Sequence, residues 1–553
     1  MPPVIQLPNT VAIGFTGHRA LEDEARCRKA IFDFLEEQKK SASGLVYGIS
    51  SVAAGGDLLF AESCIQLALP LRVLLPLPAD EFRKDFDADT WSRAERVLAR
   101  AASVEVIGRS PSREECYYEC GIETVHQSRL LLALWNGLPA EGLGGTEDVV
   151  SFAKGVGRPV VWLHSRTGEV RRFNEKTEKD LLDDPELEFL NRLPDPVPNP
   201  HARAVIPADR KPGSSGVDGE AAGPRITDLR GDVKGITKTE INASTKPARY
   251  VSFWDADAPI EMGKPEALAR AWFRKVDGSA SRLAPQFRRL AAIPILFTAA
   301  AALFSGAASR GHGVGTWMTV GTALGILAAV LPAALRLNQR QILWVRTRTA
   351  AEVCRSVLAF WTTPAPYEAI GPEVIPELSG VLMSLNLLKM LDRGRREVAL
   401  EEFKQRYRQE RVSNQIAYFF DHAAQSSAEA FRFRAATWAS VGFASLLNAW
   451  LFVSAHTIAN LGPGPWKQWL ALGASIGFQM ATVAGALLAV NDCDRRKERY
   501  RELYLQLKKW DAQLEALRTW PSVLRVAGRI ERALLAELIE WRSLIRNPKA
   551  VQK

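Results

Sequence analysis

Residues 290–335 read LAAIPILFTAAAALFSGAASRGHGVGTWMTVGTALGILAAVLPAAL. Two charge-free runs, 290–309 and 313–335, lie on either side of Arg310 and His312. Each run is close to the ~20 residues that a helix needs to cross ~30 Å of hydrocarbon. Because neither run shows the polar stripe of a helix that meets water, the stretch predicts a membrane hairpin. A pair of fully buried helices in a large soluble protein is the alternative.

The same pattern occurs a second time, at 435–455 and 468–491, with a short turn between the runs. Such a repeat indicates that each hairpin and its flanking helices form one structural module, so we predict four membrane spans in two repeated helical hairpins. Asn448 and Gln479 are polar side chains within these spans, and they either hydrogen-bond between helices or line a pore. The residues before the two hairpins align without a gap: Asp277, Ala280, Ala284, Phe287 and Arg288 match Asp421, Ala424, Ala428, Phe431 and Arg432.

Basic residues flank the spans mainly on one side. They cluster before the first span, after the second, before the third and after the fourth, whereas the two turns within the hairpins carry only Arg310 and Lys467. The positive-inside bias then predicts that both termini and every long segment lie in the cytoplasm.

The composition of the 553-residue chain narrows the class of partner. Much of the formal net charge of +9 lies beside the spans, where anionic lipid headgroups attract it. A lipid bilayer is therefore favoured over nucleic acid. The 6 cysteines are scattered without the paired spacing of metal ligands, as expected for reduced cytosolic thiols. We expect neither a metal site nor a cofactor.

From residue 10 to residue 165, short apolar runs alternate with amphipathic helical patterns. Such alternation predicts an α/β fold, a Rossmann-like doubly wound parallel sheet whose ligands bind at the carboxyl ends of the strands. The predicted strands are 11–15, 45–49, 72–75, 104–107, 130–135 and 159–163, and the predicted helices between them are 25–38, 57–69, 90–101 and 113–126.

Glycines and small polar residues follow three of these strands. Glycine lets the backbone approach a phosphate, Thr16 can donate a hydroxyl, and Arg19 supplies a planar cation. We therefore predict a phosphate and ribose site at this edge of the sheet. Alternatively, the glycines only form tight turns, and His18 only caps a helix end. The candidate site residues are Gly14, Thr16, Gly17, His18, Arg19, Ser51, Gly55, Gly56, Asp57, Asn136, Gly144, Gly145, Thr146 and Glu147.

The loop at 14–19, the turn at 53–57 (AAGGD), residues 131–137 and the Gly144-Gly145-Thr146 sequence together resemble the SLOG superfamily. These nucleotide-binding Rossmann-like domains are related to DNA-processing protein A and the LOG phosphoribohydrolases. The resemblance covers about 10–165. The four-span remainder is similar to SLATT domains, which are two-span membrane effectors of bacterial conflict systems.

The resemblance implies a sensor in the bacterial inner membrane that binds a nucleotide or an NAD-derived messenger and controls a membrane pore, in defence against phage. Because four short spans cannot easily enclose a channel, a pore requires a homo-oligomer. A membrane-tethered nucleotide N-glycosidase and a structural scaffold are the two alternatives.

One departure from the LOG pattern concerns catalysis. The LOG enzymes carry a catalytic glutamate three residues after the threonine of their Gly-Gly-x-Gly-Thr-x-x-Glu motif, and this chain has Val149 there. Glu147 or Asp148 could act as a displaced acid, but we favour binding without turnover and assign no catalytic residue. Relatives also tend to carry aspartate where this chain has Asn136.

Changes in composition divide the chain into four parts. The SLOG-like domain covers 1–165, and a proline- and glycine-rich linker or insertion covers 166–265. The two SLATT-like modules cover 266–420 and 421–553, the second ending in long cytoplasmic helices with apolar stripes.

Overall fold

A computed structural model describes two connected regions, a sheet of seven strands near the N-terminus and a helical region that follows it. Most of the predicted linker, including 195–263, lies outside the described residues. The described residues are 5–42, 44–139, 142–174, 184–194, 264–308, 314–334, 337–363, 375–392, 398–457, 465–491 and 493–546.

The strand order in the sheet is β4-β3-β2-β1-β5-β6-β7. The first six strands pair in parallel, whereas β7 pairs antiparallel to β6 at the edge of the sheet. All six predicted strands are confirmed within one or two residues at each end. The strands are β1 Thr10–Gly17, β2 Leu45–Ser50, β3 Leu71–Leu75, β4 Ser103–Val106, β5 Leu130–Trp135, β6 Val160–His164 and β7 Val170–Phe173.

Strand β7 was not predicted, and the sheet is mixed where a parallel one was expected. The sequence of β7, VRRF, lacks the apolar alternation that is typical of a strand, because β7 is a mostly exposed edge strand. It lies in the segment that was predicted as a linker.

Three helices cover one face of the sheet: α1 (Glu24–Ser41), α2 (Gly56–Gln66) and α4 (Ala88–Leu98). A short helix, α3 (Ala79–Phe82), precedes α4. Apolar side chains such as Ile13 form the core on this face.

On the opposite face, α5 (Arg113–Gln127) and α6 (Thr146–Gly155) pack against β5 and β6. The helices therefore lie on both faces, as the doubly wound prediction requires. The four helices predicted between the strands correspond to α1, α2, α4 and α5.

The rest of the described chain is helical, with one π-helix at Tyr407–Ser413. The helices are α7 Pro185–Asn191, α8 Pro265–Ala308, α9 Val314–Ala334, α10 Leu337–Ala359, α11 Ser379–Leu391, α12 Leu400–Arg406, α13 Asn414–Thr457, α14 Pro465–Asn491, α15 Cys493–Ala516 and α16 Trp520–Arg546.

Two sets of three consecutive helices have similar lengths. Helix α8 has 44 residues and packs against α9 and α10, and α13 has 44 residues and packs against α14 and α15. The two sets also touch each other, since α8 packs against α14. The spans and flanks that the sequence predicts to repeat therefore occupy equivalent helices.

Two helical stretches in the described chain, Leu400–Ser454 and Leu470–Leu488, are long and apolar enough to cross a membrane. Only 6 % and 22 % of their apolar segments is buried inside the protein. Large side chains point outward, with Leu446 72 % exposed and Trp438 73 % exposed. The apolar parts of α8 and α9, Ala292–Phe304 and Met318–Leu331, are shorter.

Helix α11 covers part of one face of the sheet. The face over β1, β2 and β3 is not fully covered by the helices of the N-terminal region, and Leu387 of α11 packs there against Ala12, Tyr47, Ile49 and Leu74. Leu387 is 1 % exposed. Part of a sheet face is therefore closed by a helix that begins at Ser379, far beyond the end of β7 in the chain.

Polar contacts join the two regions at the amino ends of the strands. The Lys275 ammonium of α8 donates to the carbonyl oxygens of Ile5, at 3.0 Å, and Asn191, at 2.8 Å. The buried ion pair between Arg129 and Asp184 has an N–O distance of 2.8 Å. The carboxyl ends of the strands lie at the opposite edge of the sheet from these contacts.

Candidate functional site

A cavity of about 1000 Å³ lies at the carboxyl ends of β1, β2 and β5. Strands β1 and β5 are neighbours although other strands come between them in the chain, so the cavity lies at the topological switch point of the sheet. Most of the predicted site residues line it: Thr16, Gly17, His18, Arg19, Ser51, Asp57, Asn136, Gly144, Gly145, Thr146 and Glu147.

The predicted residues Gly14, Gly55 and Gly56 do not line the cavity. Gly55 has φ +83°, and a Cβ atom there would lie 2.2 Å from the carbonyl oxygen of Arg19. The Gly56 N–H donates to the His18 carbonyl oxygen at 2.9 Å. These two glycines bring the first and second loops together, and a Cβ at Gly14 would lie 2.9 Å from Ser128. For these three positions, the interpretation as structural glycines is therefore the better one.

His18 ties the first loop to the third. Its Nε2 accepts a hydrogen bond of 2.9 Å from the Asn136 N–H, so this nitrogen carries no proton. The backbone N–H of His18 donates to the Leu134 carbonyl oxygen at 3.2 Å. His18 also lines the cavity, so the residue that positions the loop is itself part of the site.

Arg19 is the one cavity arginine that forms no ion pair in the described part of the chain. Among those residues its side chain makes no hydrogen bond either, and its guanidinium carbon lies 4.6 Å from the centroid of the Tyr117 ring. By contrast, Arg113 donates to the Asp85 carboxylate at 2.6 Å, and Arg166 pairs with Glu22 at 2.8 Å. Arg19 is thus oriented by an aromatic ring while its charge remains available for an anion.

Tyr117 and Asp85 are site residues that the sequence did not predict. The Tyr117 hydroxyl donates to the Asp85 carboxylate, and both residues line the cavity. Burial, and then this hydrogen bond, raise the pKa of Tyr117. Tyr117 comes from the middle of α5 and Asp85 from the 3-10 helix Arg83–Asp85, so neither follows a strand directly. Only the packing of α5 over the sheet edge brings them to the cavity.

Asp57 is a buried carboxyl at the start of α2, 6 % exposed, at the inner side of the cavity. The Ser51 hydroxyl donates to its Oδ1 at 2.9 Å. Burial raises the pKa of Asp57 to about 6, although the Ser51 hydrogen bond and the nearby Arg19 oppose this rise. The preceding loop is strained at Val52, a buried β-branched residue with φ +53°. A strained loop and a buried titratable group are typical of a functional edge of a sheet.

At the third loop, both acidic side chains accept hydrogen bonds, one from within α6 and one from the loop that precedes it. The Glu147 Oε1 accepts from the Ser151 hydroxyl at 2.7 Å, and the Asp148 Oδ2 accepts from the Gly144 N–H at 2.9 Å. Val149, at the position of the LOG catalytic glutamate, is 2 % exposed and packs against α5. The Thr146 hydroxyl has no hydrogen-bond partner in the described chain. This loop is therefore better suited to binding than to acid catalysis.

Apolar side chains form another part of the cavity lining. The Trp135 ring lines the cavity, and its Nε1–H donates to the Leu138 carbonyl oxygen at 2.8 Å. The ring centroid lies 5.2 Å from that of Trp162. Leu138 and Leu143 at the rim are 55 % and 48 % exposed. The site therefore combines cationic and hydroxyl groups with a flat apolar surface.

The described residues contain no group of three or more His, Cys, Asp or Glu side chains that could hold a metal ion. The chain matches no protein-family model, and no curated protein matches it. The assignment to the SLOG and SLATT families stays a prediction from the motifs.

Proposed function

We propose that this protein is a membrane-anchored sensor of the SLOG and SLATT kind. It binds a nucleotide or an NAD-derived messenger in the sheet-edge cavity, and binding opens a homo-oligomeric membrane effector in bacterial antiphage defence. The observation that carries this proposal is Arg19, a cation that forms no ion pair in the described chain, at the switch-point cavity of a doubly wound sheet.

The chemistry of the cavity suits a phosphate, a sugar and a base. Arg19 and the hydroxyls of Thr16 and Thr146 are available to phosphate oxygens, next to the first turn of α6. The Trp135 ring offers an apolar surface to a flat base. The buried Asp57 can accept hydrogen bonds from sugar hydroxyls. A nucleotide has these three parts in one molecule.

In this proposal α8, α9, α13 and α14 supply four spans of a bacterial inner membrane, with both termini in the cytoplasm. The exposure of Leu446 and Trp438 supports a lipid environment, since a soluble core helix would bury such side chains. The cavity and its ligand then lie on the cytoplasmic side.

A chain of packed side chains connects the cavity to the proposed spans. Helix α5 lines the cavity with Tyr117 and Cys120, and Cys120 shares a buried cluster with Leu387 of α11. Lys389 of α11 donates to the Thr363 hydroxyl, just after α10, at 2.9 Å. Helix α11 therefore touches the cavity helix on one side and the first three-helix set on the other. A ligand that prefers one position of α5 would shift α11 with it.

The test is leakage from liposomes that contain the purified full-length protein and a trapped fluorescent dye. Candidate messengers, including NAD, ADP-ribose and cyclic nucleotides, are added from outside to protein that is oriented with its N-terminal region outward. We expect one of them to release the dye, and Arg19→Ala to abolish release without preventing membrane insertion. Arg100→Ala, at an exposed arginine outside the cavity, is the control. Equal leakage from the Arg19 variant and the control would contradict the proposal.

The second candidate, a membrane-tethered nucleotide N-glycosidase, is favoured by one observation. Asp57 is a cavity carboxyl whose pKa, at about 6, suits proton transfer near neutral pH. Incubating the protein with NAD and nucleoside monophosphates and measuring free base tests this activity. Base release that Asp57→Asn abolishes would support the enzyme over the sensor.

A further inference from the structure

We infer that the exposed face of α13 at Asn448 binds a second copy of this chain, with the half-buried Gln479 of α14 at a similar depth. The inference rests on the proposed placement of these helices in a membrane. It goes further by naming the surface through which the copies meet.

The contact between α13 and α14 uses small residues and leaves these polar side chains out. A Cβ atom at Gly477 of α14 would lie 2.9 Å from the Cβ of Ala444 of α13, and one at Gly473 would lie 2.9 Å from Leu447. The two helices are therefore held together by close backbone approach. Polar groups within this pair are not needed to join it.

Asn448 is exposed on α13, although its position within a span would favour burial. Its amide has no hydrogen-bond partner in the described chain, and neither has the hydroxyl of Ser445, one turn earlier on the same helix face. On α14, Ser475 and Gln479 are half-buried, lie one turn apart on one face, and also lack hydrogen-bond partners among the described residues. By contrast, the Thr482 hydroxyl donates within its helix to the Phe478 carbonyl oxygen at 3.0 Å.

The two amides lie at similar depths. At a rise of about 1.5 Å per residue, Asn448 lies about 20 Å from the cytoplasmic start of the third predicted span, at Ala435. By the same measure Gln479 lies about 18 Å from the cytoplasmic end of the fourth span, at Asn491. Both amides would thus lie well inside the hydrocarbon, where acyl chains offer no hydrogen bond.

A second copy of the chain can supply the hydrogen-bond partner that the acyl chains lack. A carboxamide is both donor and acceptor, so Asn448 can pair with Asn448 or Gln479 of another copy at the same depth. A contact of this kind between identical surfaces also closes into a symmetric assembly. Lipid cannot satisfy the amide, and Phe452, one turn further along the same face and 65 % exposed, makes the surface too apolar to face bulk water.

Oxidative cross-linking in liposomes tests the interface without any ligand. We expect Asn448→Cys to form disulfide-linked dimers above the background of the wild-type cysteines. Leu446→Cys, at a 72 % exposed position on another side of α13, is the depth-matched control and should not exceed that background. Equal cross-linking at both positions would overturn the inference. So would rapid labelling of Asn448→Cys by a water-soluble maleimide without cross-linking, because that result assigns Asn448 to a water-filled pore.

A second measurement does not depend on introduced cysteines. Asn448→Leu should weaken self-association in detergent about fivefold, the effect of losing one interhelical hydrogen bond. Asn448→Gln should restore most of it, and wild-type association of the leucine variant would count against the interface. Cross-linking that persists while every messenger fails to release dye would contradict the proposed function alone.

Discussion

The guanidinium carbon of Arg19 lies 4.6 Å from the centre of the Tyr117 ring, and the Tyr117 hydroxyl donates to Asp85. The Tyr117 ring thus orients the Arg19 guanidinium, and the hydrogen bond to Asp85 holds the ring in place. Side chains from the loop after β1, the β3–β4 connection and α5 meet in this way at the cavity. Anion binding at Arg19 should therefore depend on the aromatic ring and less on the hydroxyl.

We predict that Tyr117→Leu lowers the affinity for the messenger about twofold to thirtyfold, which is the loss of a cation–π contact of roughly 0.5–2 kcal/mol. Tyr117→Phe keeps the ring and should lose less. Calorimetric titration with the dye-releasing messenger measures both values. Tyr118→Leu, at the next residue and outside the cavity lining, is the control. A larger loss for phenylalanine than for leucine would show that the hydroxyl, not the ring, orients Arg19.

Asp57 predicts a pH-dependent stability. Because its pKa in the folded protein is about 6, above the ~3.9 of an exposed aspartate, its contribution to folding is complete below about pH 4 and is lost as the pH rises through about 6. The difference corresponds to roughly 3 kcal/mol. Asp57→Asn should therefore raise the Tm of the ligand-free protein at pH 8, and the gain should shrink at pH 5. Asp33→Asn, at a 57 % exposed side chain, is the control. A gain that is larger at pH 5 would contradict this sign.

From the burial of Leu387 against the sheet, we predict that the stability of the N-terminal sheet depends on the helical region. Leu387→Ala removes a fully buried side chain from the contact with β2 and β3, which typically costs roughly 2–5 kcal/mol. Hydrogen exchange of the β2 and β3 amides should become faster, because this face of the sheet loses its cover. Leu505→Ala, at a 36 % exposed leucine of α15, should leave that exchange unchanged. Unchanged exchange in the Leu387 variant would mean that α11 does not support the sheet.

We predict that a side chain at Gly380 would clash at the junction of the two regions. A Cβ atom there would lie 1.6 Å from Asp184 Oδ2 and 2.4 Å from Arg129 Nη2, so Gly380→Ala must break or displace a buried ion pair. We expect a loss of roughly 3–5 kcal/mol of stability. Gly278→Ala is the matched control, because nothing lies within 4 Å of its Cβ position, and it should be neutral or slightly stabilising. Thermal unfolding in detergent compares the two, and similar Tm values would be the contrary result.

The α/β region was predictable because its strands carry strong local signals. Apolar runs such as 130–135 are buried on both faces, so their composition alone identifies them. Strand β7 and helix α7 were missed because they are short and partly exposed, and a proline-rich composition nearby suggested a linker. The contact of α11 with the sheet could not be predicted, since nothing in its sequence indicates a partner so much earlier in the chain.

The candidate site was predictable at the strand ends and not elsewhere. Parallel strands place their carboxyl ends together, so Thr16, Asp57 and Thr146 could be expected to converge. Tyr117 lies mid-helix, and its approach to Arg19 depends on how α5 packs. Gly55 was assigned to the ligand because a glycine turn has the same sequence whether it admits a phosphate or another loop.

The closure of the sheet by α11 has a consequence for biosynthesis. About 200 residues separate the end of β7 from the start of α11, which at 5–20 residues per second is about 10–40 s of translation. During that interval the ribosome also delivers the first apolar hairpin, while Tyr47 and Ile49 still lack the helix that covers them. The nascent N-terminal region therefore keeps an open apolar flank throughout, and it matures only when chain that emerges much later returns to it.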